Sequence, residues 1–255
     1  MLPTACGSLI GIGDLRVDPF GEAGADASAG SACRSFGGGQ ASSVDAGAST
    51  FCDDFGDETL RGEWRIETKG AGGTGSLDDT IFSGGPRGLT VQVTPNGELS
   101  EWALVRTFAR AGSPVVLGFD VRLADQESAT MALAAIGIAE TTLELSVRDR
   151  ALYLVQRGAT GAELLARRLN ESLSSMTWGH IDVAVFRGGT PPAAAAADVE
   201  RPRVEVRLNG SPLSDPVEIS GDLRGLPLVR VGILRAASPS GQRVVHFDNV
   251  TVGLD

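Results

Sequence analysis

Three aspartates, Asp53, Asp54 and Asp248, carry the most pointed chemistry in the sequence. The first two close a strand-like run over residues 51–55, and the third sits in the closing run, residues 244–254. If those two runs pair as neighbouring strands, the three carboxylates converge, and a hard cation such as calcium takes several carboxylate and carbonyl oxygens at once. Asp248-Asn249 also has a reading without metal. Apolar residues fall on odd positions before it (Val245, Phe247) and on even positions after it (Val250, Val252, Leu254), the change of phase that a β-bulge produces.

Catalytic constellations are weaker. Glu98 with Glu101, and Glu140 with Glu144, are the nearest carboxylate pairs, and their spacings of three and four put them on turns or on no defined common face. His180 and His246 could each enter a Ser-His-Asp set, but no GxSxG elbow holds a serine for them, and both read as structural. Glycan recognition asks for exposed aromatic platforms with polar neighbours. Trp102, beside Glu98, Ser100 and Glu101, and Tyr153, alternating with Leu152 and Leu154, are the surface candidates. The competing reading packs both rings, as aromatics in β domains usually are. Trp64 and Trp178 sit where strands begin and read as core.

The elements that would position these groups are strands. From Phe51 onward, short alternating runs are separated by Gly, Pro, Asn and Asp: Leu89/Val91/Val93, Val115 through Leu123, Leu143/Leu145/Val147, Ile181/Val183/Val185, Val204/Val206/Leu208 and Val229/Val231/Ile233. Asn209-Gly210 is the strongest hairpin signal, and Arg148-Asp149-Arg150 reads as a second reversal. Pro95-Asn96-Gly97 marks a further turn. Residues 162–169 have a helix-forming composition, with an edge strand as the alternative. Residues 188–197, rich in Gly, Pro and Ala, read as an inserted surface loop.

The chain has 255 residues, 42% of them hydrophobic, enough to build a core. A net charge of -10 with a single lysine, Lys69, argues against nucleic acid as a partner, since phosphate neutralisation needs clustered Lys and Arg. No run approaches the roughly 18 apolar residues of a spanning helix. Residues 1–50, rich in Gly, Ala, Ser and Asp, read as a flexible acidic tether.

Three features together resemble the concanavalin A-like, laminin-G-type jelly roll over residues 51–255. They are the entry Cys52-Asp53-Asp54-Phe55 leading to Trp64, the pair Trp178-Gly179-His180-Ile181-Asp182-Val183 and Val204 through Gly210, and the exit Phe247-Asp248-Asn249-Val250-Thr251-Val252. The resemblance implies an all-β, antiparallel two-sheet sandwich whose outer face or rim loops bind glycans or proteins. Some relatives carry calcium. Others hydrolyse β-glucans through Glu-x-Asp-x-x-Glu, a pattern absent from this chain.

Residues 2–8 resemble the tail of a bacterial lipoprotein signal, with Cys6 as the lipidated position, although Pro3 departs from the pattern and no apolar region precedes it. Lipidation of Cys6 would leave Cys33 and Cys52 to pair in an oxidising compartment; two free thiols are the alternative. The expectation is an extracytoplasmic bacterial binding module for carbohydrate or a surface protein, non-catalytic, touching a membrane only through a lipid anchor. A glycan hydrolase of the same fold and a purely structural interaction domain are the alternatives.

Overall fold

In the computed structural model the described residues are Cys33, 50–70, 72–94, 99–124, 130–188, 201–237 and 241–255. Cys6, nearly all of the expected tether, the Pro95-Asn96-Gly97 turn, Glu98 and the alanine run lie outside them. In chain order the strands are β1 (Thr50–Asp53), β2 (Arg65–Lys69), β3 (Gly73–Asp78), β4 (Gly88–Val93), β5 (Ser100–Thr107), β6 (Val115–Leu123), β7 (Thr130–Ile138) and β8 (Thr141–Arg148). They continue as β9 (Ala151–Arg157), β10 (Glu163–Ser172), β11 (Gly179–Phe186), β12 (Arg203–Leu208), β13 (Ser211–Pro212), β14 (Val217–Glu218), β15 (Pro227–Ala237) and β16 (Arg243–Leu254). Among the described residues no helix is long and apolar enough to cross a membrane.

The strands form two antiparallel sheets, a jelly-roll sandwich. The first runs β13-β12-β11-β6-β16-β4-β3, and the second runs β10-β9-β8-β7-β15-β5-β2. Alternation explains the core. In β6 the odd residues Val115, Leu117, Phe119, Val121 and Leu123 are buried, and they pack with Leu89, Val91, Ile181, Val183 and Phe247 of neighbouring strands against the second sheet. The even residues of β6, including Gly118, Asp120 and Arg122, face out.

The first and last strands meet. β1 pairs antiparallel with the second half of β16, Phe51 opposite Val252 and Asp53 opposite Val250, while β4 covers the first half of the same edge. The phase change at Asp248-Asn249 is a bulge: the pairing of β16 with β6 slips between Asp248 and Thr251, and Asn249 adopts φ 49°. Val245, Phe247, Val250, Val252 and Leu254 are all buried as a result. Asn209 and Gly210 take φ 51° and 78° at the β12–β13 turn, and Asp149 and Arg150 turn β8 into β9 with φ 48° and 70°. All but the first of residues 162–169 belong to an edge strand, because β10 starts at Glu163 and lies on β9 with Arg168 opposite Tyr153. Cys33 and Cys52 form a disulfide, which ties residue 33 to β1.

Candidate functional site

The aspartates do not converge. Residues directly opposite in an antiparallel pair point to the same side, so Asp53, opposite the core residue Val250, faces inward, whereas Asp248, next to the core residue Phe247, faces outward. Both are occupied by donors. Asp53 accepts from the Phe55 amide at 2.9 Å and from Trp64 Nε1 at 2.7 Å, with Arg61 Nε at 3.5 Å. Asp54 lies beyond the strand end and accepts from the Gly56 amide. Asp248 Oδ2 accepts from the amides of Ser83 (2.8 Å) and Gly84 (3.1 Å), and its Oδ1 accepts from the Asn249 amide. N–H donors aimed at a carboxylate take the place a cation would need. Among the described residues no three His, Cys, Asp or Glu side chains are grouped to hold a metal. The calcium site expected at Asp53, Asp54 and Asp248 is therefore replaced by a pinned entry loop and a pinned bulge.

Trp102 is also relocated. It is 4% exposed and packs in the core with its ring filling a notch left by Gly75, where a Cβ would lie 2.1 Å from Cζ2. Its side chain points inward because β5 buries Trp102 and Leu104 and turns Glu101 and Ala103 outward. Trp64 is core as well, with its ring edge-on to Phe51. Tyr153 is half-buried on the outer face of the second sheet, with the Arg148 guanidinium 5.0 Å from its ring centre.

The outer face of the first sheet carries a closed polar network centred on His180. Its Nδ1 is 2.6 Å from Asp120 Oδ1 and its Nε2 is 3.2 Å from Asp182 Oδ1. Strand pairing sets this up: His180 lies opposite Asp120, and Asp182 lies opposite Gly118, whose missing Cβ leaves room for Thr251 Oγ1 and Asp182 Oδ1. Asp120 Oδ2 accepts from Ser83 Oγ (2.6 Å) and Asn249 Nδ2 (2.8 Å). Burial opposes charge on His180, but its hydrogen bonds to Asp120 and Asp182 prevail and raise its pKa to about 10. Burial likewise works against ionised Asp120, and the bonds from His180, Ser83 and Asn249 hold its pKa low. Burial raises the pKa of Asp248 to about 6 against its three amide bonds. An imidazolium with both nitrogens on carboxylates is poorly placed to take a proton from a substrate. His246, buried with Nδ1 2.8 Å from Thr90 Oγ1, is a second structural histidine.

The outer face of the second sheet is different. One register row crosses all seven strands: Arg65, Val105, Arg230, Ala135, Glu144, Val155 and Ala166. Next to it run Arg235, Ala132, Ser146, Tyr153 and Arg168. Small residues of β7, Ala132 and Ala135, form a floor between the arginines of β15 and the polar side chains of β8. They cluster with Ala103, Val105 and Leu234 and are nearly inaccessible although they face away from the sandwich interior. Register slips in β7 and β15 bend the sheet here.

Arginines on this face outnumber their acids. Glu67 is shared by Arg65 (2.5 Å) and Arg230 (2.9 Å), Glu144 by Arg157 (2.6 Å) and Arg235 (3.7 Å), and Glu163 by Arg148 (2.8 Å) and Arg157 (3.6 Å). Glu101 lies 3.9 Å from Arg230, and burial raises its pKa. Nε of Arg230 and of Arg235 has no partner among the described residues. This face was hidden from the sequence because β15 enters between β5 and β7, far from either along the chain. The usable signal was the alternation of Arg230 with Val229 and Val231 in an otherwise apolar strand.

No protein-family model and no curated protein matches the chain. Its fold is shared with solved structures. An endo-beta-1,4-glucuronan lyase from the fungus Trichoderma reesei superposes with TM-score 0.59 at 16% identity, over 80% of this chain and 95% of the lyase. A cellulose induced protein, Cip1, gives TM-score 0.59 at 16% identity over 80% of this chain and 96% of its own. At that identity the likeness is one of fold.

Proposed function

We propose that the protein is an extracytoplasmic, non-catalytic carbohydrate-binding module, and that its ligand is an anionic polysaccharide laid across the outer face of the second sheet. The observation that carries this reading is the surplus of guanidinium donors on that face of a chain whose net charge is -10. Guanidinium groups match carboxylates bidentately, and Tyr153, the chain's single tyrosine, offers an adjacent ring for a sugar to pack on. A glucuronan lyase shares the fold. The Cys33–Cys52 bond supports an oxidising compartment.

Calorimetric titration of the full chain with polyglucuronate and with a neutral β-glucan tests the proposal. Binding to the polyuronide that weakens as salt rises is expected. Equal binding to both would remove the anionic ligand and keep the module, and no binding to either would favour a structural or protein-interaction domain.

A second reading, elimination of a uronide by a lyase of this fold, draws on the placement of Tyr153 beside Arg148 and opposite Arg168. In it the arginines would hold the uronate carboxyl and the phenol would move the proton. Appearance of an ultraviolet-absorbing unsaturated product during the same titration would establish it; its absence at full occupancy leaves the binding module.

A further inference from the structure

At one end of the sandwich an open pocket of about 520 Å3 lies among the β5–β6 connection (Ala111, Gly112, Ser113), the residues after β11 (Arg187, Gly188) and the stretch 221–225 before β15. Its size falls in the range of small-molecule sites. Three features of Arg187 single it out. Its Nη1 donates to two backbone carbonyls, Leu223 O at 3.0 Å and Gly225 O at 2.7 Å, which fix the plane of the guanidinium. Its own amide is held by Ser113 Oγ at 3.2 Å, which fixes the base of the side chain. Its Nε and Nη2, both buried, have no hydrogen-bond partner among the described residues.

Nε–H and Nη2–H point the same way along one edge of a guanidinium, spaced for the two oxygens of a carboxylate. Buried donors of this kind are rarely left unmade. The carboxylate lining the pocket, Asp222, already spends its oxygens on Arg224: Oδ1 accepts from the Arg224 amide (2.8 Å) and Nε (3.0 Å), and Oδ2 from Nη2 (3.2 Å). Among the described residues no acid pairs with Arg187, and burial pushes its pKa down. Other arginines with unpartnered nitrogens have a different setting. Arg106 is stacked on Phe51 at 3.9 Å inside the core, and Arg230 and Arg235 belong to the ion-pair ladder of the second sheet.

We propose that this pocket is a second ligand site, in which Arg187 grips the carboxylate of a small organic acid bidentately. Three glycines of the wall are fixed by packing on the protein side: a Cβ would lie 2.9 Å from Leu254 at Gly112, 2.7 Å from Thr141 Oγ1 at Gly221 and 3.0 Å from the Ala139 amide nitrogen at Gly225. The site is independent of the polysaccharide face and shares no residue with it.

The test follows the arginine Nε–H resonances of the full, 15N-labelled chain during titration with sodium glucuronate, sodium phosphate and glucose. Expected is a saturable shift of the Arg187 Nε–H with glucuronate and none with glucose. Arg187→Lys keeps the charge but loses the paired edge, and should weaken binding about tenfold or more. Arg187→Gln should abolish it. Should either variant fail to fold, the assigned Arg187 resonance of the wild-type chain still decides the matter. An unmoved Arg187 signal, a response to phosphate alone, or undiminished glucuronate affinity in folded Arg187→Gln would each overturn the proposal. Arg230→Ala with Arg235→Ala serves as the control that leaves this pocket unchanged.

Discussion

The two outer faces of the sandwich both carry charged side chains and end in opposite states. On the first sheet, His180 sits between two acids, and Asp120 and Asp248 accept from Ser83, Gly84 and Asn249, so each carboxylate is met by fixed donors. On the second, three glutamates are each divided between two arginines, and guanidinium N–H groups remain over. Polar groups bonded to one another stabilise a fold, and a surplus of one charge draws a ligand of the opposite sign. Perturbed titration therefore does not by itself locate function in this molecule. The upward shift of His180, to about 10, belongs to the face that is closed.

His180 carries the largest expected effect. His180→Ala leaves Asp120 and Asp182 facing each other without the cation, and should cost about 3 kcal/mol of unfolding free energy while leaving polyuronide binding intact, as denaturant melts and calorimetry would show. The wild-type pH profile checks the same bond. Because the folded pKa lies above the unfolded one, near 6.5, the stabilisation is complete below about pH 6.5 and is lost as pH climbs towards 10. A melting temperature independent of pH over that window would contradict the imidazolium.

Removing Arg230 and Arg235 together should do the reverse, weakening polyuronide binding by about tenfold to a hundredfold with stability changed by about 1 kcal/mol, because Glu67 keeps Arg65 and Glu144 keeps Arg157 as partners. Loss of stability without loss of affinity would move the ligand elsewhere.

Asp248 sharpens the picture on the acid side. With its folded pKa raised to about 6, this group makes the protein less stable as pH rises from about 4 to 6. Asp248→Asn should therefore gain on the wild type across that interval, by about 1–3 kcal/mol, whatever offset the amide introduces through lost hydrogen bonds. A constant difference in melting temperature from pH 4 to 7 would show that Asp248 titrates normally. The smallest effect is expected at Tyr153→Ala, about 1 kcal/mol of binding, read as roughly a fivefold rise in Kd.

The alternating strands were legible because each has a wet side and a dry side, and the bulge at Asp248-Asn249 was legible because it inverts that alternation in mid-strand. The turns at Asn209-Gly210 and Asp149-Arg150 announced themselves by residue type and by the runs around them. What a sequence conceals is which strands become neighbours. Trp102 has charged neighbours along the chain, yet its side chain shares the inward side with Leu104. Asp53 and Asp248 lie on paired strands and on opposite faces of one sheet. Arg230 and Glu144 face each other across Ala135 only because β15 inserts beside β7. Facing and neighbourhood, not composition, decide the chemistry of both outer surfaces.

The position of β16 has a consequence for how the molecule comes into being. It is flanked along one edge by β6 and along the other by β4 and β1, so strands from well-separated parts of the chain all wait for one partner. The middle of the first sheet stays vacant until a ribosome has released the stretch after Arg243, and folding must follow translation of that stretch instead of keeping pace with it. A nascent chain halted before that point would present the bare edges of β6, β4 and β1 to any passing strand.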